Sequence, residues 1–138
     1  MQDTELALLI DRLMRRIHFG LQSKAQEFDE FQVGPGGGIV LLTLAEMEQP
    51  ALSELTRRVA RDKSQMTRTM RSLENKELVA RKACPEDARV TRVLLTPKGE
   101  RAVADLQNAV AETIAEILLP ISKDGEETLK SLLRRVLS

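Results

Sequence analysis

The sequence predicts a mainly α-helical protein with one small β-hairpin, arranged as a winged helix-turn-helix. Three observations carry this. Apolar residues recur at three-and-four spacing over most of the 138 residues. Alternation replaces that period only between Leu78 and Thr96. Aromatic side chains are scarce, with Phe19, Phe28 and Phe31 but no Trp or Tyr, so the core is expected to be Leu, Ile, Val and Met. The length suits one domain, 1–138, with a real core.

From Glu5 to about Phe31, Leu6, Leu9, Ile10, Leu13, Met14, Ile17 and Leu21 mark an amphipathic helix. VGPGGG, Val33 to Gly38, is expected to break it, because Pro and clustered Gly do not sustain a helix. IVLLTLAEM, Ile39 to Met47, is read as a buried helix, its β-branched start leaving a strand open. Pro50 marks a turn, and Leu55 and Val59 fit a short helix over Ser53 to Ala60. Asp62 caps the next helix, with Gln65 placed to reach back in a capping box. Met66, Met70 and Leu73 share its buried face.

LVARKA, Leu78 to Ala83, and VTRVLLT, Val90 to Thr96, read as strands around a CPEDAR tip. Pro97 opens a long helix with a stripe through Val103, Leu106, Val110, Ile114 and Ile117. Pro120 ends it. Ser122 caps a last amphipathic helix through Leu129, Leu132, Leu133, Val136 and Leu137.

Lys+Arg and Asp+Glu balance at 21 each. Even so, Arg61, Lys63, Arg68, Arg71, Lys76, Arg81 and Lys82 crowd one short stretch with only Asp62, Glu74 and Glu77. With the Met66 face inward and 100° per residue, Ser64, Arg68, Arg71, Ser72 and Asn75 face out, flanked by Gln65 and Thr67. That face has two arginines, small polar groups and no acid. Such a face suits phosphates and guanine edges. Two short helices, the second so equipped, are a helix-turn-helix. The basic hairpin behind them, with Arg89 near its tip, is a wing within reach of a minor groove. The DNA-binding residues are therefore expected to be Lys63, Ser64, Gln65, Thr67, Arg68, Arg71 and Arg89. Net neutrality is no objection, because DNA responds to the local field.

Other classes fit less well. One cysteine, Cys84, permits no internal disulfide, and with one histidine leaves too few ligands for a structural zinc site. Scarce aromatics argue against stacking platforms for single strands. MQDTELALLIDRL has acids where a signal peptide has basic residues, and no run of about 20 apolar residues occurs. A soluble cytoplasmic protein without membrane contact is expected. There is no nucleophile–base pair, and VGPGGG follows a helix and lacks the P-loop lysine. Neither an enzyme nor a cofactor or metal is expected.

LTRRVARDKSQMTRTMRSLENKELVARK followed by EDARVTRVLLTPKG resembles the winged helix-turn-helix of the MarR (multiple antibiotic resistance regulator) family. The family's wing pattern is met by Asp87, Arg89, Val93, Leu95, Thr96 and Gly99. Its Thr-Arg pair is matched by Thr67 and Arg68, and its Leu-Val by Leu78 and Val79. The resemblance implies a homodimer joined by N- and C-terminal helices, 1–32 and 100–138, with 36–99 as the DNA-binding region. It implies double-stranded DNA with a pseudo-palindromic operator as partner, and repression relieved by a small aromatic or anionic ligand. By the same resemblance, Asp87 holds basic side chains of the reading head and Arg89 reaches the minor groove.

Two departures bear on structure. Glu77 stands where the family often has glycine, so the reading helix is expected to end differently, through Asn75. Gly34 to Gly38 is read as a flexible loop, or as a backbone surface that a ligand or second chain approaches closely. Cys84, beside Arg81, Lys82 and Arg89, is read as structural, with oxidant sensing as the alternative. His18 is read as an interface or pocket residue, and Arg15 and Arg16 as facing water. A winged-helix protein-interaction module without DNA binding is the remaining alternative.

Overall fold

A computed structural model describes all residues, Met1–Ser138. Six helices and one hairpin follow in the order α1 (Thr4–Phe28), α2 (Gly34–Ala45), α3 (Leu52–Val59), α4 (Lys63–Asn75), β1 (Val79–Cys84), β2 (Asp87–Leu95), α5 (Pro97–Ile117) and α6 (Lys123–Leu137). This is the winged helix-turn-helix expected. The chain divides into two compact units, Ala25–Asn108 and a second made of Met1–Lys24 with Ala109–Ser138.

The Ala25–Asn108 unit has its own core. Val40 and Leu41 of α2, Leu55 of α3, and Met66, Met70 and Leu73 of α4 meet Leu78, Val79, Val93 and Val103. β1 and β2 pair antiparallel, Val79 with Leu95 through Ala83 with Thr91. A third, minimal strand joins them: Ala51 bridges to Arg92, and Val93 N donates to Pro50 O at 2.9 Å.

Two expectations change here. The Gly34–Gly38 segment is not a flexible loop. It forms the first turns of α2, with Pro35 in the opening turn, where its fixed φ suits a helix. The Asp29 carboxylate accepts from Val33 N at 2.9 Å and Gly34 N at 3.0 Å. The glycines admit the chain's own neighbours. A methyl at Gly37 would lie 2.9 Å from Val33 Cβ, and one at Gly38 would lie 3.2 Å from Leu106 Cδ2. Glycine costs helix propensity, roughly 1 kcal/mol each relative to Ala, and close packing offsets it.

The hairpin tip is also tighter than the CPEDAR reading. β2 begins at Asp87, so only Pro85 and Glu86 turn. The register shifts between Ala83 and Cys84, which pairs with Asp87, so Ala88–Val90 are extra residues on β2, bulged as at many strand ends.

In the other unit, α1 and α6 bury no residue. Leu6, Leu9, Ile10, Leu13 and Met14 are exposed on α1, and Leu132, Leu133, Val136 and Leu137 on α6. Small residues set the closest approach between α1 and α5. A methyl at Gly20 would lie 2.7 Å from Thr113 Cγ2, and Lys24 pairs with Glu116 at 2.8 Å. On the part of α5 in this unit Ala109 and Thr113 are buried, while Val110, Ile114 and Ile117 are half-buried. The Thr113 hydroxyl, buried there, donates to Ala109 O at 2.8 Å.

Candidate nucleic-acid interface

α4 starts as its residues dictate. Asp62 takes an extended conformation and its carboxylate accepts from Gln65 N at 2.8 Å. The second half of the capping box, from the Gln65 side chain, is not made. Met66, Met70 and Leu73 are buried, which turns Lys63, Ser64, Gln65, Thr67, Arg68 and Arg71 outward; all six are exposed. Thr67 Oγ1 donates back to Lys63 O at 2.8 Å.

Glu74 is the acid nearest this face, and it is engaged. Its carboxylate accepts from Arg81 Nε at 2.7 Å. The pair ties α4 to β1, and it removes an anion from the neighbourhood of Arg68 and Arg71. It also takes Arg81 out of the set of free cations.

The end of α4 corrects the sequence reading. Asn75 is the last helical residue, and Glu77 adopts the left-handed conformation at φ 62 despite its side chain. Leu78 N donates to Leu73 O at 3.0 Å and Glu77 N to Glu74 O at 2.9 Å, the two bonds of a Schellman cap. Buried Leu73 and Leu78 supply its apolar contact. The cap is held from outside as well. Thr96 Oγ1 donates to Glu77 O at 2.6 Å. Lys98 Nζ donates to Lys76 O at 3.0 Å and lies 4.9 Å from the centre of the Phe31 ring.

On the wing, Asp87 accepts three bonds from Arg89: backbone N at 3.0 Å, Nε at 3.1 Å and Nη2 at 3.3 Å. The side-chain bond chiefly, then the backbone bond, lowers the Asp87 pKa below the ordinary aspartate value. Asp87 thus orients Arg89 itself, whose side chain is 90% exposed. Arg92 donates to Gln49 O at 3.0 Å and braces the minimal strand. Cys84 is buried at 6% exposure, and its thiol's polar partner is Glu86 Oε2 at 3.7 Å, a carboxylate rather than a cation.

Between α3, α4 and the hairpin lies a cleft of about 660 Å³. Its floor is Leu52, Met66 and Met70; its walls carry Arg57, Arg61, Lys63, Arg81 and Arg89, with no acid among the lining residues. Arg57 was not singled out from the sequence. Its place at i+4 to Ser53, another lining residue, was the available signal.

Helix, turn, exposed cationic helix and basic hairpin define a winged helix-turn-helix of the DNA-binding type. Residues 39–91 match the model of the MarR family. The chain is similar in structure to a probable transcriptional regulator from Pseudomonas aeruginosa, with 25% identity over 97% of this chain and 98% of that one and a TM-score of 0.75. It is similar to the repressor CouR bound to a 23-mer DNA duplex, with 22% identity, coverage of 100% and 99%, and a TM-score of 0.75. It is also similar to the PcaV regulator from Streptomyces coelicolor in complex with its natural ligand, with 23% identity, coverage of 99% and 97%, and a TM-score of 0.70. No helix is long and apolar enough to cross a membrane.

Proposed function

We propose that this protein is a homodimeric, sequence-specific double-stranded DNA-binding transcriptional regulator, acting as a repressor that a small aromatic or anionic ligand releases. The observation that carries the reading is the outer face of α4 with the cleft beside it. Lys63, Arg68 and Arg71 stand exposed and without a carboxylate partner, and the cleft to the wing is lined by Arg57, Arg61, Lys63, Arg81 and Arg89 with no acid among its lining residues. A helix so equipped suits a major groove, and a cationic cleft between helix and wing suits the phosphate strand running on toward the minor groove. In this reading Lys63, Ser64, Gln65, Thr67, Arg68, Arg71 and Arg89 touch DNA, and Asp87 presents Arg89.

Dimerisation is supported by the apolar residues that α1 and α6 leave exposed. Stripes of that extent call for a partner surface, and 1–32 with 100–138 are the proposed dimerisation segments. A two-fold dimer presents two copies of α4, which matches a pseudo-palindromic operator. The likeness to CouR with its duplex and to PcaV with its ligand supports DNA and a small molecule as partners. The role is regulatory rather than enzymatic, and the cytoplasmic location follows from the DNA partner.

Arg68→Ala and Arg89→Ala variants test this, with duplex binding and sedimentation measured together. The expected result is a dimer in every case, with binding sharply reduced in both variants. Unchanged binding in the two variants contradicts the assigned interface. A monomer contradicts the assembly. A dimer with no affinity for any duplex favours a protein-interaction module.

A further inference from the structure

The exposed polar side chains of α4 fall into two sets by position and by what they already hold. An α-helix rises about 1.5 Å per residue, so Lys63 and Arg71 stand roughly 12 Å apart along α4, close to the width of a B-DNA major groove. A helix crossing such a groove meets a phosphate wall near each of these residues and base edges between them. Thr67 lies between, but its hydroxyl donates to Lys63 O, which leaves it a single acceptor oxygen without the paired groups that tell bases apart. Ser64 is short. That leaves Gln65 and Arg68, both exposed, neither of whose side chains makes a hydrogen bond within the protein.

Their directions agree with this division. With Met66, Met70 and Leu73 buried, Arg68 points within about 15° of straight outward, and Gln65 sits one turn nearer the N-terminus at about 60° to it. The two are about 4.5 Å apart along the axis, against about 3.4 Å per base pair. They reach neighbouring pairs. Asp62 holds the backbone of Gln65 through its capping bond, and the Glu74–Arg81 pair keeps the nearest carboxylate off Arg68.

Resting on the DNA-binding reading above, we propose that Arg68 and Gln65 set the operator sequence: Arg68 reads a guanine and Gln65 an adenine, one or two base pairs apart in each half-site, while Lys63 and Arg71 clamp phosphates without regard to sequence. The chemistry follows from the groups. The Arg68 fork offers two parallel donors to guanine O6 and N7. The Gln65 amide offers one donor and one acceptor, matching adenine N7 and N6.

Selection from a randomised duplex library tests the assignment, using the full chain and the variants Gln65→Ala, Arg68→Ala, Lys63→Ala and Arg71→Ala. The wild type is expected to enrich half-sites with a G·C and an A·T pair one or two positions apart. Arg68→Ala is expected to flatten the guanine preference alone, by about 5- to 150-fold, and Gln65→Ala the adenine preference alone by a similar factor. Lys63→Ala and Arg71→Ala are expected to weaken all sequences alike. Enriched half-sites without such a pair overturn the proposal. So does uniform weakening by Arg68→Ala and Gln65→Ala with every base preference intact. A wild-type chain that binds no duplex overturns the DNA-binding reading itself, and that outcome is visible before any variant is compared.

Discussion

Lys76 Nζ donates a 2.7 Å hydrogen bond to the carbonyl oxygen of Gln32, which ties the end of α4 to the segment that leads into α2. Lys98 completes the clasp from the start of α5, reaching Lys76 O while lying over Phe31. One end of this clasp sits on a left-handed residue, Gln32 at φ 55, and the other, Lys76, immediately precedes one, Glu77 at φ 62. The position of α4 is thus set by its buried face and also by two lysines that satisfy backbone carbonyls the helix end and turn leave open.

Removing the clasp is expected to loosen the winged unit. A hydrogen bond contributes about 0.5–1.5 kcal/mol net, and a cation over an aromatic face about 0.5–1 kcal/mol at an exposed site. Lys98→Ala, which loses both, is expected to destabilise by about 1–2 kcal/mol. Lys76→Ala, which loses one bond, is expected to cost about 0.5–1 kcal/mol. Urea unfolding of the two variants and the wild type measures this, and three coincident transitions would show that the clasp contributes nothing.

Glu77→Gly is expected to stabilise. A side chain in the left-handed region costs about 1 kcal/mol, and glycine escapes that strain while giving back part of it as unfolded-state entropy. A net gain of about 0.5 kcal/mol is expected. The Schellman bonds are backbone bonds and survive the change. A lower midpoint for the variant would mean that the Glu77 side chain makes a contribution larger than the strain.

Two glycines separate crowding from strain. A methyl at Gly99 would overlap the carbonyl oxygen of Leu78, part of the backbone. Gly99→Ala must displace α5 or the α4 cap, at a cost on the order of 3 kcal/mol. Gly34, at φ +70, has nothing within 4 Å of an added methyl, so Gly34→Ala pays strain alone, about 1 kcal/mol. Thermal unfolding ranks the two, and equal shifts would contradict the close approach at Gly99.

The wing latch is expected to depend on acid. Hydrogen bonds from Arg89 hold the Asp87 pKa below its ordinary value, so the contact is complete above the ordinary aspartate pKa and is lost as pH falls through the lowered one. Near neutral pH Arg89 is oriented by Asp87, and in strong acid it is released. Carboxyl carbon NMR of Asp87 measures the midpoint. It should sit below the ordinary range in the wild type and move back toward it in Arg89→Ala, which keeps only the backbone bond; an unmoved midpoint would count against the latch.

Much of this architecture was legible in the sequence because it rests on local signals. Met66, Met70 and Leu73 declare a buried face by spacing, Asp62 a cap by position, and Pro97 a helix start by its fixed φ. What escaped depends on contacts distant in sequence. Nothing in GPGGG announces that Leu106 and Val33 will pack on it, so its glycines read as a loop. Glycine's usual place at a left-handed turn made Glu77 look unsuited to one, whereas Thr96 and the buried Leu73–Leu78 contact hold it there. The structural roles of Lys76, Lys98 and Arg92 were not legible, because a lysine or arginine bonded to a carbonyl twenty to forty-odd residues away leaves no local pattern. The exposed face of α4 was read as it stands, since exposure follows directly from the buried stripe.

The α4 face and the wing cleft are proposed to bind double-stranded DNA through many phosphates as well as bases. Fluorescence anisotropy of the purified protein on the DNA flanking its own gene, against scrambled duplex, across a salt series, tests it most directly. Tight binding to the flanking DNA is expected at low salt. A dimer making roughly 6–10 phosphate contacts should lose about 10³- to 10⁵-fold in affinity between about 50 and 200 mM salt, with the scrambled duplex bound more weakly throughout. Affinity that is absent at low salt, or that does not change as salt rises, would contradict it.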